Sequence, residues 1–591
     1  MKKTAKAAAL IAAMVLAAGL TACQKKESAG GSGATKASVK VSAKDAEKAA
    51  GYLIMDGTTV MGYKEGLPAK LVIPAGVTEI GKSAFSECKS LKSVVIQDGV
   101  TVIGEEAFYF CEKLESVVIP DGVTEIGKSA FGGCHKLKGV TIPEGVTKIG
   151  VLAFNGCDSL TEMTIPGSVK TIGDKAFVWC RSLKSVTIAE GVTEIGKEEA
   201  FLGCTSLTSV TIPASVTSIG KEAFRGSGLK TVTIPKGIKA ISEYTFSGCK
   251  LLKSVTLAEV TVIGDGAFSG CISLTDITIP EYVMYIDKYA FKGCTSLASV
   301  TIPGSVKTIG GDDYFGGAFE GCTSLKSVTL AEGVEIIGIC MFKGCTSLAS
   351  ITIPGSVKAI GRNAFKGCTS LASVTIPKGV YISSSGGEFE GCMSLKSVTL
   401  AEGVEQIGNS MFKGCTSLES IEIPESVAVI GDGAFSGCVS LTDITIPEYV
   451  MDIRNGAFDG CKSLAIEIPA SVTEIGESAF RGSGLKTVTI PKGVKAISWY
   501  AFKDCKSLES VTIPRGITVI GAQAFGDCAS LKSVSIPRSV TGIHGSAFRG
   551  CDNLTVQYDG TKAQWEAIGK YDIGSFAVRC SDGEFSKQRW D

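Results

Sequence analysis

Histidine is nearly missing from this 591-residue chain: there are two, His135 and His544, and only 4 tryptophans. That scarcity removes the commonest general base and the commonest metal ligand. Excess charge is also missing, with 59 Lys plus Arg against 59 Asp plus Glu. A balanced chain lacks the overall basic footprint of a nucleic-acid-binding protein, which leaves only a local patch open. No Gly-x-Ser-x-Gly elbow, His-Glu-x-x-His pair or phosphate-cradling loop occurs. The stretch GDGAFSG (Gly264 to Gly270) has the glycine density of a nucleotide loop but the wrong spacing, and it belongs to a longer repeat. Both histidines stand at variable loop positions, His544 where other repeats carry glycine, Ser242, Asp287 or Arg454, and both read as exposed turn residues. These absences point to a protein that is not an enzyme and carries no metal or cofactor. With 45% hydrophobic residues the chain is not disordered by composition.

What is present begins with a targeting segment. Lys2, Lys3 and Lys6 precede an apolar run, Ala7 to Gly19, too short to span a bilayer. It ends in Leu20-Thr21-Ala22-Cys23, which resembles the lipobox of bacterial lipoproteins. The resemblance implies a signal peptide over 1–22, cleavage before Cys23 and a diacylglycerol on its sulfur. The polar stretch that follows reads as a flexible tether, giving a segment 23–50. Several acyl chains on one residue hold stably, each buried methylene adding roughly 0.8 kcal/mol. In that family Gln24, rather than Asp, after the cysteine points to the outer membrane. An exported, membrane-anchored protein is expected.

Most of the remaining chain is one repeated unit. Phenylalanines recur 21 times from Phe85 to Phe548, mostly 23 residues apart. Between them runs F-x-G-C-x-S-L-x-S-V-T-I-P-x-G/S-V-x-x-I-G-x-x-A. A period in the twenties is the signature of a solenoid. The segment L-x-S-V-T-I reads as a short strand closed by a proline that cannot donate to a ladder. Stacked coils pair such strands in parallel, with Leu297, Val300 and Ile302 inward, Val306 and Ile309 on the returning side, and Gly310 turning the chain onward. The expected fold is a repeat solenoid of about 21 coils of about 23 residues, parallel and β-rich, joined by short turns or helical loops. At about 4.8 Å per coil the stack is on the order of 100 Å long.

The sentence A-F-x-G-C-x-S-L-x-S-V-T-I-P resembles the leucine-rich repeats of the BspA-like bacterial surface proteins, over roughly residues 70 to 555. The flanks are similar as well: Asp56 to Pro74 resembles the family's N-terminal cap and Thr555 to Gly583 its C-terminal cap. The implied organisation is a cap over 51–74, a leucine-rich-repeat superhelix over 75–554 and a second cap over 555–591. Caps are required because a coil exposes its apolar faces at both ends of a stack.

Nineteen of the 22 cysteines stand three residues after a frame phenylalanine, among them Cys88, Cys111, Cys134, Cys157, Cys180, Cys204 and Cys294. Metal is disfavoured, because no Cys-x-x-Cys pair exists and ligands in one file form no tetrahedron. Disulfides suit an exported protein, and α-carbons about 4.8 Å apart are within range. Parallel side chains nevertheless leave β-carbons equally far apart, against the roughly 3.8 Å a disulfide wants. Ser227 and Ser483 replace cysteine in two coils and split the file into runs of six, ten and three. A buried thiol ladder is expected, each sulfur packed as a small hydrophobe with a weak donor directed at a loop carbonyl. Cys340 and Cys580 lie off the ladder and are the better candidates for reactive or paired thiols.

Two binding surfaces are expected. The strand residue between inward Val and Ile points outward, forming a file of Thr141, Thr164, Thr187, Thr211, Thr233, Thr256, Thr278 and Thr301. Such a polar sheet suits an extended partner through many weak contacts, although threonine is also simply a good exposed strand residue and a regular array could order water or ice. The second surface is an insertion, Asp312, Asp313, Tyr314 and Phe315, where one coil is lengthened. The family resemblance implies a cell-surface adhesin for host matrix proteins such as fibronectin or fibrinogen, or for other bacteria. The alternative is an envelope structural or receptor lipoprotein that binds polysaccharide or a periplasmic partner.

Overall fold

A computed structural model describes residues 43–310, 316–383 and 385–590. The chain divides into two units, Met1–Lys44 and Asp45–Asp591, and the second carries all that follows. Cys23 and the inserted Asp312, Asp313, Tyr314 and Phe315 lie outside the described residues, as do segment 1–22 and most of the tether.

The repeat winds into a succession of strand, turn, short strand and corner, and each coil lies on the one before. Segments such as Ser299–Ile302 form a first parallel ladder, in which Val300 and Ile302 are buried and Ser299 and Thr301 exposed. The V-x-x-I segments form a second ladder of mostly two-residue strands, such as Thr308–Ile309. The alternation follows from the period-2 geometry of a strand with one wet face. The links between strands are turns, and the described residues hold two helices, Ala43–Ala50 and Lys562–Glu566. The expected helical loops are therefore absent from the repeat.

The third side of the coil is held by neither ladder. Around the A-F pair the backbone donates forward: Ser83, Phe85 and Glu87 N–H groups bond to the carbonyls of Glu105, Ala107 and Tyr109 in the next coil. The two strand ladders also donate backward, as Gly104 N–H does to Ile80 O at 2.7 Å. Presenting alternate N–H groups to one neighbour requires left-handed residues. Two recur in each coil, one before the alanine (Ser83, Glu106, Lys175, Tyr289) and one before the cysteine. The second is mostly glycine, which meets no steric penalty there, but Glu87, Phe110, Trp179, Asp504 and Asp527 adopt the same conformation, and the forward bonds hold both positions there.

Inside this corner the frame phenylalanines stack face to face, neighbouring ring centroids 5.1–5.7 Å apart and planes within 2–19° of parallel. Tyr63, on an antiparallel hairpin that precedes the first coil, begins the stack 5.9 Å from Phe85. Phe576 ends it by meeting Phe548 edge-on at 75°. The edge-on contact stops the column, since it offers no further parallel face. A closing hairpin, Gly574–Cys580 with Gly583–Trp590, lies beyond it and buries Trp565 and Trp590.

The glycine of I-G has a different task from turning. A β-carbon at Gly127 would come 2.6 Å from the Gly104 carbonyl carbon, and one at Gly150 would come 2.5 Å from that of Gly127. It allows successive coils to approach, and Gly310 is one of the few in the series that also needs a positive φ, of 98°.

Both ladders are interrupted at particular coils. The second ladder stops after Lys221, after Ile382 and after Ile475. The first and third stops are at the coils where Ser227 and Ser483 stand, which are one residue shorter between Phe and Leu. Shortening alone does not break the ladder, because Ile241 and Ile263, and Ile453 and Ile475, pair directly across equally short coils. At these two breaks a side chain replaces the missing backbone bond. Ser242 and Ser498, in place of the I-G glycine, donate their hydroxyls to Ile219 O and Ile475 O at 2.6 Å. The break after Ile382 has no such bridge. There Val380-Tyr381-Ile382 lacks one residue of V-x-x-I, and a cavity of about 200 Å³ opens between Val380–Ile382 and Val404–Gln406.

Candidate functional site

The thiols are scaffold. Eighteen ladder cysteines donate Sγ–H to the phenylalanine carbonyl of the preceding coil, at 3.1–3.3 Å. Cys88, in the first coil, has no such carbonyl and meets Ser90 Oγ instead. Most of these carbonyls also accept their own coil's cysteine N–H, as Phe85 O does from Cys88 N at 3.2 Å, so the sulfur fills the second acceptor site. Cys294 donates to Phe268 O at 3.2 Å. Ser227 and Ser483 keep the file continuous by contacting Cys249 and Cys505 through sulfur, at 3.2 and 3.3 Å. Burial pushes the thiols of Cys111 and Cys204 up to about 12, and those of Cys134, Cys157, Cys180 and Cys294 well above the ordinary value. Thiolate is the nucleophile and the metal ligand, so a thiol held protonated does neither. All are free. In native protein the ladder thiols resist alkylation. In denaturant without reductant all of them alkylate, and an intact mass showing fewer than about half modified would refute this account.

Cys340 and Cys580 do not meet: Cys340 stands at the left-handed position before Met341, and Cys580 ends a strand of the closing hairpin. Burial raises the thiol of each. His135 is half-buried, with Nδ1 3.0 Å from Asp158 Oδ2 in the next coil and the Phe110 ring edge-on to it. Sequence reasoning left it as an exposed turn residue, and the partner was not visible because Asp158 is 23 residues away. His544 is exposed. Among the described residues no group of three or more His, Cys, Asp or Glu side chains could hold a metal ion.

The threonine file is exposed at all eight positions, but it is not one continuous array. Thr164, Thr187 and Thr211 are in direct register, as are Thr233 and Thr256. Thr141 and Thr278 lie beyond the ends of two-residue strands, Gly139–Val140 and Asp276–Ile277. The ladder therefore lapses between Thr141 and Thr164, Thr211 and Thr233, and Thr278 and Thr301.

The second ladder carries a surface that sequence reading passed over. From Ala240 to Ile382 seven strands pair without interruption, and their outward residues form one column: Ala240, Val262, Tyr285, Thr308, Ile336, Ala359 and Tyr381. None is charged. The equivalent column nearer the N-terminus includes Glu79, Glu125, Lys148 and Glu194. Tyr285 is 51% exposed, Ile336 36% and Tyr381 62%, with Tyr282 and Met284 exposed beside them. The adjoining charges neutralise one another, Glu335 lying between Lys307 and Lys358 at 3.9 and 2.6 Å. Large aromatic and aliphatic side chains left in water in one line are the usual mark of a contact surface. Each was visible in the sequence as a departure from Thr, Lys or Glu, but only the stack places them together.

The repeat has relatives. The sequence pattern of the BspA type leucine rich repeat region matches overlapping stretches 68–184, 101–211, 170–291, 197–316, 286–388, 315–442, 383–509 and 429–555. No curated protein matches the chain. Among solved structures, it is similar to a leucine-rich repeat protein from Bacteroides ovatus, at 24% identity over 85% of this chain and 94% of that one, with a TM-score of 0.29. It is also similar to a leucine rich cell surface protein from Faecalibacterium prausnitzii, at 24% identity over 88% and 95%, with a TM-score of 0.24. A leucine rich repeat protein of T. pallidum matches at 29% identity over 37% of this chain and 83% of that one, with a TM-score of 0.25. Since the repeat pattern runs from residue 68 to residue 555 and the coils stack as that pattern requires, this chain belongs to the BspA-type leucine-rich repeat family.

Proposed function

We propose that this protein is a cell-surface adhesin, held to the membrane through lipid on Cys23, whose solenoid binds host matrix proteins such as fibronectin or fibrinogen, or other bacteria. The observation that carries the reading is the pair of outward faces, on which side chains repeat in register over runs of three to nine strands. A repeated face gains avidity from many weak contacts along one partner, which is the physics of adhesion rather than of turnover. A solenoid of this family is typically a binding scaffold for proteins, and its ladder thiols are free and buried among the described residues.

The test is protease treatment of intact cells. Cleavage of the solenoid is expected, followed by loss of cell binding to immobilised fibronectin or fibrinogen. Complete protection would favour a periplasmic scaffold and remove the adhesin reading. Replacing Cys23 with alanine is expected to release the protein from the membrane fraction, and retention there would remove the anchor.

A further inference from the structure

The uncharged column on the second ladder has a size and a period, and both constrain what it can hold. Six spacings of about 4.8 Å by about one side-chain width of 10 Å give on the order of 300 Å², well short of the roughly 800 Å² per partner of a standard globular interface. A second copy of the chain or a folded domain is thus too large to be held by this surface alone. A single narrow segment fits.

Large and small residues alternate along it: Tyr285, Thr308, Ile336, Ala359, Tyr381. The ridges therefore recur every second coil, about 9.6 Å apart, with notches over Thr308 and Ala359. A β-strand repeats its same-face side chains at about 6.7 Å and falls out of step at once. An α-helix repeats at about 10.5 Å per seven residues and drifts by about 1.8 Å over the two repeats. A polyproline II segment repeats at about 9.3 Å per three residues and drifts by about 0.6 Å. Its carbonyls have no internal partners, so they are free to accept from tyrosine hydroxyls. Tyr285 and Tyr381 on the column are exposed, as is Tyr282 in the turn that precedes it. At the far end of the column a cavity of about 200 Å³ beside Tyr381 is lined by Val380, Ile382, Val404, Glu405 and Gln406, so it offers polar as well as apolar contacts.

We infer that the column from Tyr285 to Tyr381 is a docking groove for an extended, uncharged, proline-rich segment of a partner protein. Prolines at every third position enter the notches over Thr308 and Ala359, and the tyrosines bond the exposed carbonyls. Aromatic-lined grooves favour such ligands because a polyproline II chain loses little entropy on binding. The inference rests on the interaction-scaffold reading and names the partner chemistry for one of its faces.

The test uses the mature chain from Cys23, without lipid, and fluorescence anisotropy with a labelled nine-residue peptide carrying proline at every third position. Binding is expected, with at least a tenfold loss when the three prolines become glycine. A Y285S/I336S/Y381S triple variant, whose changes are all at exposed positions, is expected to lose at least tenfold as well. T301A, on the other ladder, is expected to bind as the parent does. Circular dichroism confirms that both variants are folded. No binding of the proline peptide, equal binding of the glycine peptide, an unchanged triple variant or preference for an amphipathic helical peptide would each overturn the inference. Matrix-protein binding that survives in the triple variant overturns this groove as the adhesive face while leaving the scaffold reading intact. Peptide binding without any matrix-protein binding does the reverse.

Discussion

Replacing Glu388 with alanine stabilises the protein, and the gain grows as pH rises from about 5 to about 8. Glu388 stands where 17 of the 21 coils carry the alanine of A-F. Its side chain is completely buried, and among the described residues neither carboxylate oxygen has a hydrogen-bond partner beyond its own backbone amide. Thr245, the other polar residue at this position, donates to Ser242 O at 2.8 Å and so satisfies its hydroxyl. Burial raises the Glu388 carboxyl to about 8, and the charged side chain that acts against this, Arg362, is exposed. Between about 4.5 and about 8 the folded protein therefore keeps a proton that the unfolded chain has released. The folded state binds more protons, so its stability falls as pH rises through that window and levels off on either side. At about 1.36 kcal/mol per unit, the loss from pH 5 to pH 8 is on the order of 4 kcal/mol. Glu388→Ala removes that slope and restores the residue that the corner accommodates. Glu388→Gln removes the slope too but leaves a buried amide, and gains less. Urea unfolding at pH 5 and pH 8, followed locally by hydrogen exchange over 376–412, reads the difference. Parallel pH dependence in the parent and the alanine variant would show that the carboxyl finds a partner in solution.

Replacing Phe291 with alanine is expected to cost about 3–5 kcal/mol, the range for removing a fully buried aromatic side chain. Its ring is inaccessible to solvent and stacks on Phe268 at 5.4 Å and on Phe319 at 5.1 Å, both within 9° of parallel. Two stacking contacts are lost together with the buried area. In a solenoid each coil is stabilised only by its neighbours. The loss should therefore appear as local opening around residues 268–319 at denaturant concentrations where distant coils remain protected, and not as uniform weakening. Phe291→Leu, which refills much of the space, should cost less than half as much. A destabilisation below about 1 kcal/mol, or protection lost evenly along the chain, would show that the ring stack does not carry the corner.

Much of the coil was legible from spacing alone. The inward Val and Ile, the closing proline and the thiol that donates to a loop carbonyl all follow from a residue's place within one 23-residue period, and the structure places Val300, Ile302 and Cys294 accordingly. Less legible was the corner. The left-handed residue before alanine is serine, glutamate, lysine or tyrosine in different coils, so no residue type marks it. The conformation is imposed by N–H bonds to the next coil. The I-G glycine was legible as a glycine but not for its reason, which is the backbone of a neighbouring coil 2.5 Å from a would-be β-carbon at Gly150.

The amino-acid sequence by itself therefore determined the unit: its length, its inward residues, its buried thiol and the need to stack, because an amphipathic coil cannot bury its own faces. Only the tertiary structure decided which units are truly adjacent. Residues one coil apart become neighbours only while their strands pair. The second ladder stops after Lys221 and again after Ile382, and these two stops bound the uncharged column of Tyr285, Ile336 and Tyr381. The shared threonine of V-T-I was readable in any one coil. The column was not, because it exists only between coils.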